Sequence, residues 1–248
     1  MNIALIVNSA IAPLAFLILC LPALRDPDAR GWIPVVIAMS VLDSVATLVP
    51  AYVHALQIPG THWNWSGKIL DIAVMLAVAT IFIATRRFTA KDFGLTFRQA
   101  PGTWRAILFM MIPYLIIMAA LTAKWFGETK PQTAETIWYE ATMPGLAEEL
   151  LWRGILLAIL DRMFTARFKL ANAQIGYGAI ALTLVFALVH GLHFDKTLAV
   201  QTDWLNALMA GVTGFALVWL RLRSKSLVLP VVLHNATNVI LETVPLVH

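Results

Sequence analysis

Glu148 and Glu149 stand side by side in an apolar stretch reading Gly145-Leu-Ala-Glu148-Glu149-Leu-Leu-Trp-Arg153-Gly154. Arg153 follows Glu149 by four residues, the acid-first order that favours an ion pair on one helix face. That pairing uses one acid and leaves Glu148, about 100° round the helix, without a partner nearby in sequence. Desolvation without a counter-charge raises a carboxyl's affinity for a proton, as a general base working near neutrality needs. The bland alternative is that both acids pair with Arg153 and lock helix packing. Two further segments carry the same kind of chemistry. One ends Phe186-Ala-Leu-Val-His190-Gly191, with a ring four residues before the imidazole and able to pack on it. The other reads His234-Asn-Ala-Thr-Asn238, again at i,i+4, which puts an imidazole and an amide on one face. Such a pair can hold a water or stabilise an oxyanion, or simply hydrogen-bond between helices.

The surroundings of these residues raise the stakes. Of 248 residues, 60% are hydrophobic and 13% charged, about half the charge of an ordinary soluble domain. Mean hydropathy is +0.78. A chain so poor in charge cannot cover a water-facing surface, so much of its surface faces lipid. An ionisable side chain inside a span costs about 2.5–3.5 kcal/mol on insertion scales and marks a functional site by default. The net charge of +4 does not point to nucleic acid, because the basic residues lie in short clusters between apolar runs. The single cysteine, Cys20, excludes an intrachain disulfide and a Cys-rich metal site.

Runs of about 17–25 apolar residues predict an all-α, polytopic transmembrane bundle of about eight spans in one domain, residues 1–248. The segments are Ile3–Leu24, Trp32–Val53, Ile69–Thr85, Ala106–Ala123, Thr142–Leu160, Gly176–His190, Trp204–Leu220 and Leu227–Val244. The first lacks a basic leader and a small-residue cleavage site, so it reads as a retained span. Asp43 and Asp71 interrupt otherwise apolar segments, and structural pairing is their simplest reading. His193, Asp195 and Glu242 fall near span ends, as do the aromatic residues Trp63, Trp65, Trp138, Tyr139 and Trp204, in the manner of interfacial belts.

Eight alternating spans divide the basic residues unevenly. Arg25, Arg30, Arg86, Arg87, Lys91, Arg98, Arg105, Arg162, Arg167, Lys169, Arg221, Arg223 and Lys225 fall on one side. Lys68, Lys124, Lys130 and Lys196 fall on the other. The positive-inside rule makes the richer side cytoplasmic and places both termini, and the cavity beside Glu148 and His190, toward the outside. A bacterial inner membrane is the expected location.

In order and spacing, Glu-Glu-x-x-x-Arg, Phe-x-x-x-His and His-x-x-x-Asn resemble the CPBP family of CAAX-prenyl-endopeptidase and bacteriocin-processing (Abi) intramembrane proteases, over residues 142–244. The resemblance implies an eight-helix bundle hydrolysing a peptide bond of a membrane-anchored substrate. It implies Glu148 as the base activating water, His190 assisting, and His234 with Asn238 stabilising the oxyanion. Glu149, Arg153 and Phe186 would support them. The substrate would be an exported peptide, a C-terminal sorting tail or a CAAX-like tail, met in the lipid bilayer, and no cofactor is expected. Zinc is the alternative, held by Glu148, His190 and His234, and a non-catalytic membrane scaffold or chaperone is another. Other intramembrane protease chemistries lack their motifs: there is no His-Glu-x-x-His, Gly-x-Ser-x-Gly or Gly-x-Gly-Asp.

Overall fold

The structure, a computed structural model, describes residues 3–125 and 132–243. Lys130 of the charge count and Val244, the last residue of the eighth predicted segment, lie outside the described residues. Each predicted segment coincides with a helix. These are α1 (Ile3–Leu19), α2 (Ile33–Tyr52), α3 (Trp65–Ala84), α4 (Thr103–Lys124), α6 (residues 143–163), α7 (Tyr177–Gly191), α8 (Trp204–Ser224) and α9 (Val228–Thr243). A short connecting helix, α5 (Ala134–Glu140), precedes α6.

Helix length and apolarity alone do not confirm the expected count of about eight spans. Among the described residues, four stretches are long and apolar enough to cross a membrane: Pro27–Tyr52, Trp65–Ala84, Thr103–Lys124 and Trp204–Ser224. At 15 residues, α7 is about 22 Å long, short of a bilayer core of about 30 Å. The polar groups of the candidate site interrupt α6 and α9. The physical reason lies in the packing, because a helix sheathed by other helices need not match the lipid. Every residue from Glu149 to Leu160 is buried, with α2, α3, α7, α8 and α9 around this central helix. The outer helices face the other way, and α4 exposes Leu108, Phe109, Ile112, Ile116 and Ile117. That apolar face belongs in lipid.

Residues Leu150–Leu156 of α6 form a π-helical stretch. One extra residue in the turn rotates the remainder of the helix by about 100°, a device common at functional sites.

Two small hairpins add to the helices: β1 (Arg167–Leu170) with β2 (Ala173–Gly176), and β3 (Leu192–Phe194) with β4 (Val200–Thr202). The first turns through Ala171 and Asn172, both at positive φ, 45° and 68°, as a two-residue hairpin with primed twist requires. An alanine there is strained by its Cβ. Ala171→Gly is expected to stabilise the protein by about 0.5–1 kcal/mol, read as a raised melting temperature in detergent.

The loops gather at two ends. At the basic end, Ala100 N–H donates to Ser224 O (2.8 Å) and Leu227 N–H to Gly94 O (3.0 Å). There the Arg221 guanidinium reaches Asp92 O (2.7 Å) and that of Arg162 reaches Arg87 O. At the opposite end, Glu135 of α5 accepts from the backbone N–H groups of His62 and Trp63 and from Trp65 Nε1. Asn8 bonds Phe194 at that end. The predicted partition of the loops holds, with one correction. Lys68 is not a loop charge; it lies in the opening of α3, and its side chain enters the candidate site.

Candidate active site

The predicted pair Glu149–Arg153 is present and completely buried, with Arg153 Nη1 donating to Glu149 Oε1 at 2.8 Å. Arg153 also donates to Gly214 O on α8 (3.3 Å), and its guanidinium lies 4.4 Å from the centroid of the Phe186 ring. Glu149 Oε1 accepts a second bond from His234 Nδ1 on α9, at 2.7 Å. This bond fixes the imidazole, so His234 presents Nε2 to Glu148, 3.7 Å from Oε2.

His190 is held in the same way. Its Nδ1 lies 2.8 Å from Phe186 O, so the tautomer that donates this bond presents Nε2. The predicted stacking of Phe186 on His190 is seen, with ring centroids 4.3 Å apart. The same ring meets His234 edge-on at 6.2 Å. Phe186 is thus the apolar partition against which Arg153, His190 and His234 are all set.

Glu148 does not match its description from sequence. It was expected to lack a counter-charge, but Lys68 Nζ lies 2.9 Å from its Oε1. The two are 80 positions apart, on different helices, so no local spacing could have announced the pair. Asp43 on α2 and Asp71 on α3 lie within electrostatic reach of both Lys68 and Glu148. The two unplaced span acids therefore belong to the site's surroundings.

Asn238 donates Nδ2–H to Glu140 Oε2 at the end of α5, at 2.9 Å. Glu140 is another member that sequence reading missed, because its partner again sits on a distant helix. Asn238, His190 and His234 line one cavity of about 100 Å³, together with Phe186, Thr213 and Met118.

Close helix packing assembles this cluster. Asn235 Oδ1 accepts from Gly145 N–H at 2.8 Å and its Nδ2 donates to Thr142 O at 3.3 Å, which clamps α9 to the opening turn of α6. A Cβ on Gly145 would lie 2.4 Å from Asn235 Oδ1 and 2.9 Å from Val231 O. Gly145→Ala must therefore part α6 from α9, and with them Glu148 from His234. Its expected result is a loss of turnover of about 10²-fold or more from a displacement on the order of 1 Å, checked by cleavage assays on a variant confirmed as folded by gel filtration.

The zinc alternative can be judged on the donor set. Lys68 already engages one oxygen of Glu148, and a divalent ion beside that ammonium would meet like charge. Among the described residues, no three His, Cys, Asp or Glu side chains converge in a geometry that could hold a metal ion.

With the geometry in place, comparison with known proteins is informative. Residues 130–240 match the family described as type II CAAX prenyl endopeptidase Rce1-like. Searches of curated proteins and of solved structures return no match. The matched region runs from the approach to α5 through most of α9. Over those residues, which include Glu148, Glu149, Arg153, His190, His234 and Asn238, the chain is similar to the Rce1-like family of type II CAAX prenyl endopeptidases.

Proposed function

We propose that the protein hydrolyses a peptide bond of a membrane-anchored substrate with a water molecule activated by Glu148. The observation that carries this reading is the 3.7 Å approach of Glu148 Oε2 to His234 Nε2, with His234 held by Glu149. That gap is too long for a direct hydrogen bond, and one water can bond to both atoms across it. Glu148 takes a proton from the water while the oxygen attacks the scissile carbonyl carbon. It then delivers that proton to the departing amine nitrogen as the C–N bond breaks. His190 Nε2 assists from across the cavity. The developing oxyanion is met by His234, when Nε2 carries a proton, and by Asn238. An amide has two N–H donors, so the bond from Asn238 to Glu140 leaves one for the oxyanion.

The reaction is read as metal-free. The test is cleavage of a library of membrane-anchored peptides by purified protein, with and without a chelator. Cleavage that survives the chelator is expected. Its loss would make Glu148, His190 and His234 metal ligands after all, and no cleavage at all would favour a scaffold.

The cavity lies at the end of the bundle away from the basic loops. In a bacterial inner membrane, the positive-inside rule makes that the outer face and favours an exported peptide or a C-terminal sorting tail as substrate. A prenylated CAAX tail, made in the cytosol, needs the opposite orientation. Asp195→Cys separates the two. Asp195 lies at the site end of the bundle, in the β3–β4 turn, and the native Cys20 is buried. An impermeant thiol reagent applied from outside is expected to label the new cysteine in intact cells. Labelling only after lysis would turn the site toward the cytosol and restore the CAAX tail.

A further inference from the structure

Lys68 has no part in the hydrolytic scheme above, yet it is the closest charged group to its base. Its side chain is 15% exposed and that of Glu148 is 22% exposed, so the pair is mostly shielded but open to small solutes. The carboxyls on the surrounding helices are Asp43 of α2, Asp71 of α3 and Glu148 of α6, with the Tyr139 hydroxyl of α5 also within electrostatic reach. Asp71 follows Lys68 by three residues, is fully buried, and sits against the Asp43 carboxyl. A lysine needed only to neutralise Glu148 would not require two further carboxyls beside it. Two acids behind an ammonium bias where it sits.

The backbone holds the ammonium in place as well. Asn64 caps α3 by accepting from Gly67 N–H (3.0 Å) and donates Nδ2–H to Thr47 O on α2 (2.9 Å). A Cβ at Gly67 would lie 2.4 Å from Thr47 O, so the first turn of α3 is pressed onto α2 and points Lys68 at α6. The carboxylate of Glu148 has competing partners: His234 at 3.7 Å and the guanidinium of Arg153, which adds an attraction of its own. Without a fixed charge on one oxygen, the group can turn toward either.

We propose that Lys68 is the positioning residue of the active site. Its ammonium holds Glu148 Oε1, braced by Asp43 and Asp71, so that Oε2 faces His234. This role rests on Glu148 being the base.

The experiment combines kinetics with chemical rescue, using a peptide that the wild type cleaves. Lys68→Ala is expected to lower kcat by about 10²–10³-fold, the range for removal of one preorganised charge or donor, with KM little changed. Ethylammonium should restore kcat in a saturable way, while ethanol, similar in size and uncharged, should not. Lys68→Arg should keep most of the activity. A residue needed only for folding would respond equally to neither solute, and that result, or an unchanged kcat, overturns the proposal. A double-mutant cycle on thermal unfolding with Lys68→Met and Glu148→Leu, which leaves Lys68 no acceptor, reports on the pair without turnover. If the two losses simply add, Lys68 does not hold Glu148, and this arm decides the case even where no substrate is found. Activity in Glu148→Gln would instead dismiss the base and leave the measured coupling standing.

Discussion

Glu148→Gln is expected to abolish turnover, by at least about 10³-fold in kcat, while the protein folds and captures substrate as before. The amide keeps an oxygen for Lys68 to donate to, so the 2.9 Å contact survives. What disappears is the carboxylate facing His234 Nε2, the proposed acceptor of the water's proton. General-base contributions run to about 10²–10⁴-fold, and in the proposed scheme the same group also returns the proton to the leaving amine. Substrate capture should hold, because a glutamine occupies the same volume and His190, His234 and Asn238 still line the cavity. Mass spectrometry of the peptide products decides the matter. A variant that cleaves at the wild-type rate would remove Glu148 from the chemistry and favour the scaffold. Glu149→Gln should be milder, on the order of 10–10²-fold, since it loosens the orientation of His234 without removing the base.

The second large effect concerns stability. Arg153→Met leaves Glu149 fully buried, with its charge facing only His234. Breaking a buried ion pair by deleting one partner costs about 3–5 kcal/mol. The lost contacts with Gly214 O and the Phe186 ring add to this. Thermal unfolding in detergent should show a much lower midpoint. Converting the partner as well, in Glu149→Gln with Arg153→Met, should recover most of the loss, because no uncompensated charge then remains. The double variant still lacks the carboxylate that holds His234 Nδ1, so stability should return without full activity. A single Arg153→Met variant as stable as wild type would show that the ion pair is not what holds α6 in the centre of the bundle.

The two predictions draw on different kinds of information. The Glu149–Arg153 pair was legible in the sequence because i,i+4 spacing is a property of one helix. The same holds for Phe186 on His190, and for the sharing of one helix face by His234 and Asn238. Composition settled the membrane class, and the apolar runs located each long helix to within a few residues. The order of the three motifs pointed to the family that residues 130–240 match.

The partners of those residues were not legible. Lys68 reads as a loop charge, Asp43 and Asp71 have no evident place, and nothing in the sequence singles out Glu140. Lys68, Asp43 and Asp71 lie on helices far along the chain from Glu148, as Glu140 does from Asn238, and periodicity carries no record of which helix faces which. Helix length and apolarity leave the span count unconfirmed for a related reason. Hydropathy measures fitness for lipid, whereas α6 and α9 are shielded by other helices and can carry polar groups that lipid would reject. The Ala171–Asn172 turn lacks the glycine that normally announces a hairpin, and the π-helical stretch in α6 has no local sequence signal. Sequence by itself determined the solvent, the helices and which polar residues share a helix face, because these depend on side-chain chemistry and on spacing within one helix. Only the tertiary structure decided that Lys68 rather than Arg153 is bonded to Glu148 and that Glu149 rather than Glu148 holds His234, because helix packing alone sets distances between residues 80 or more positions apart.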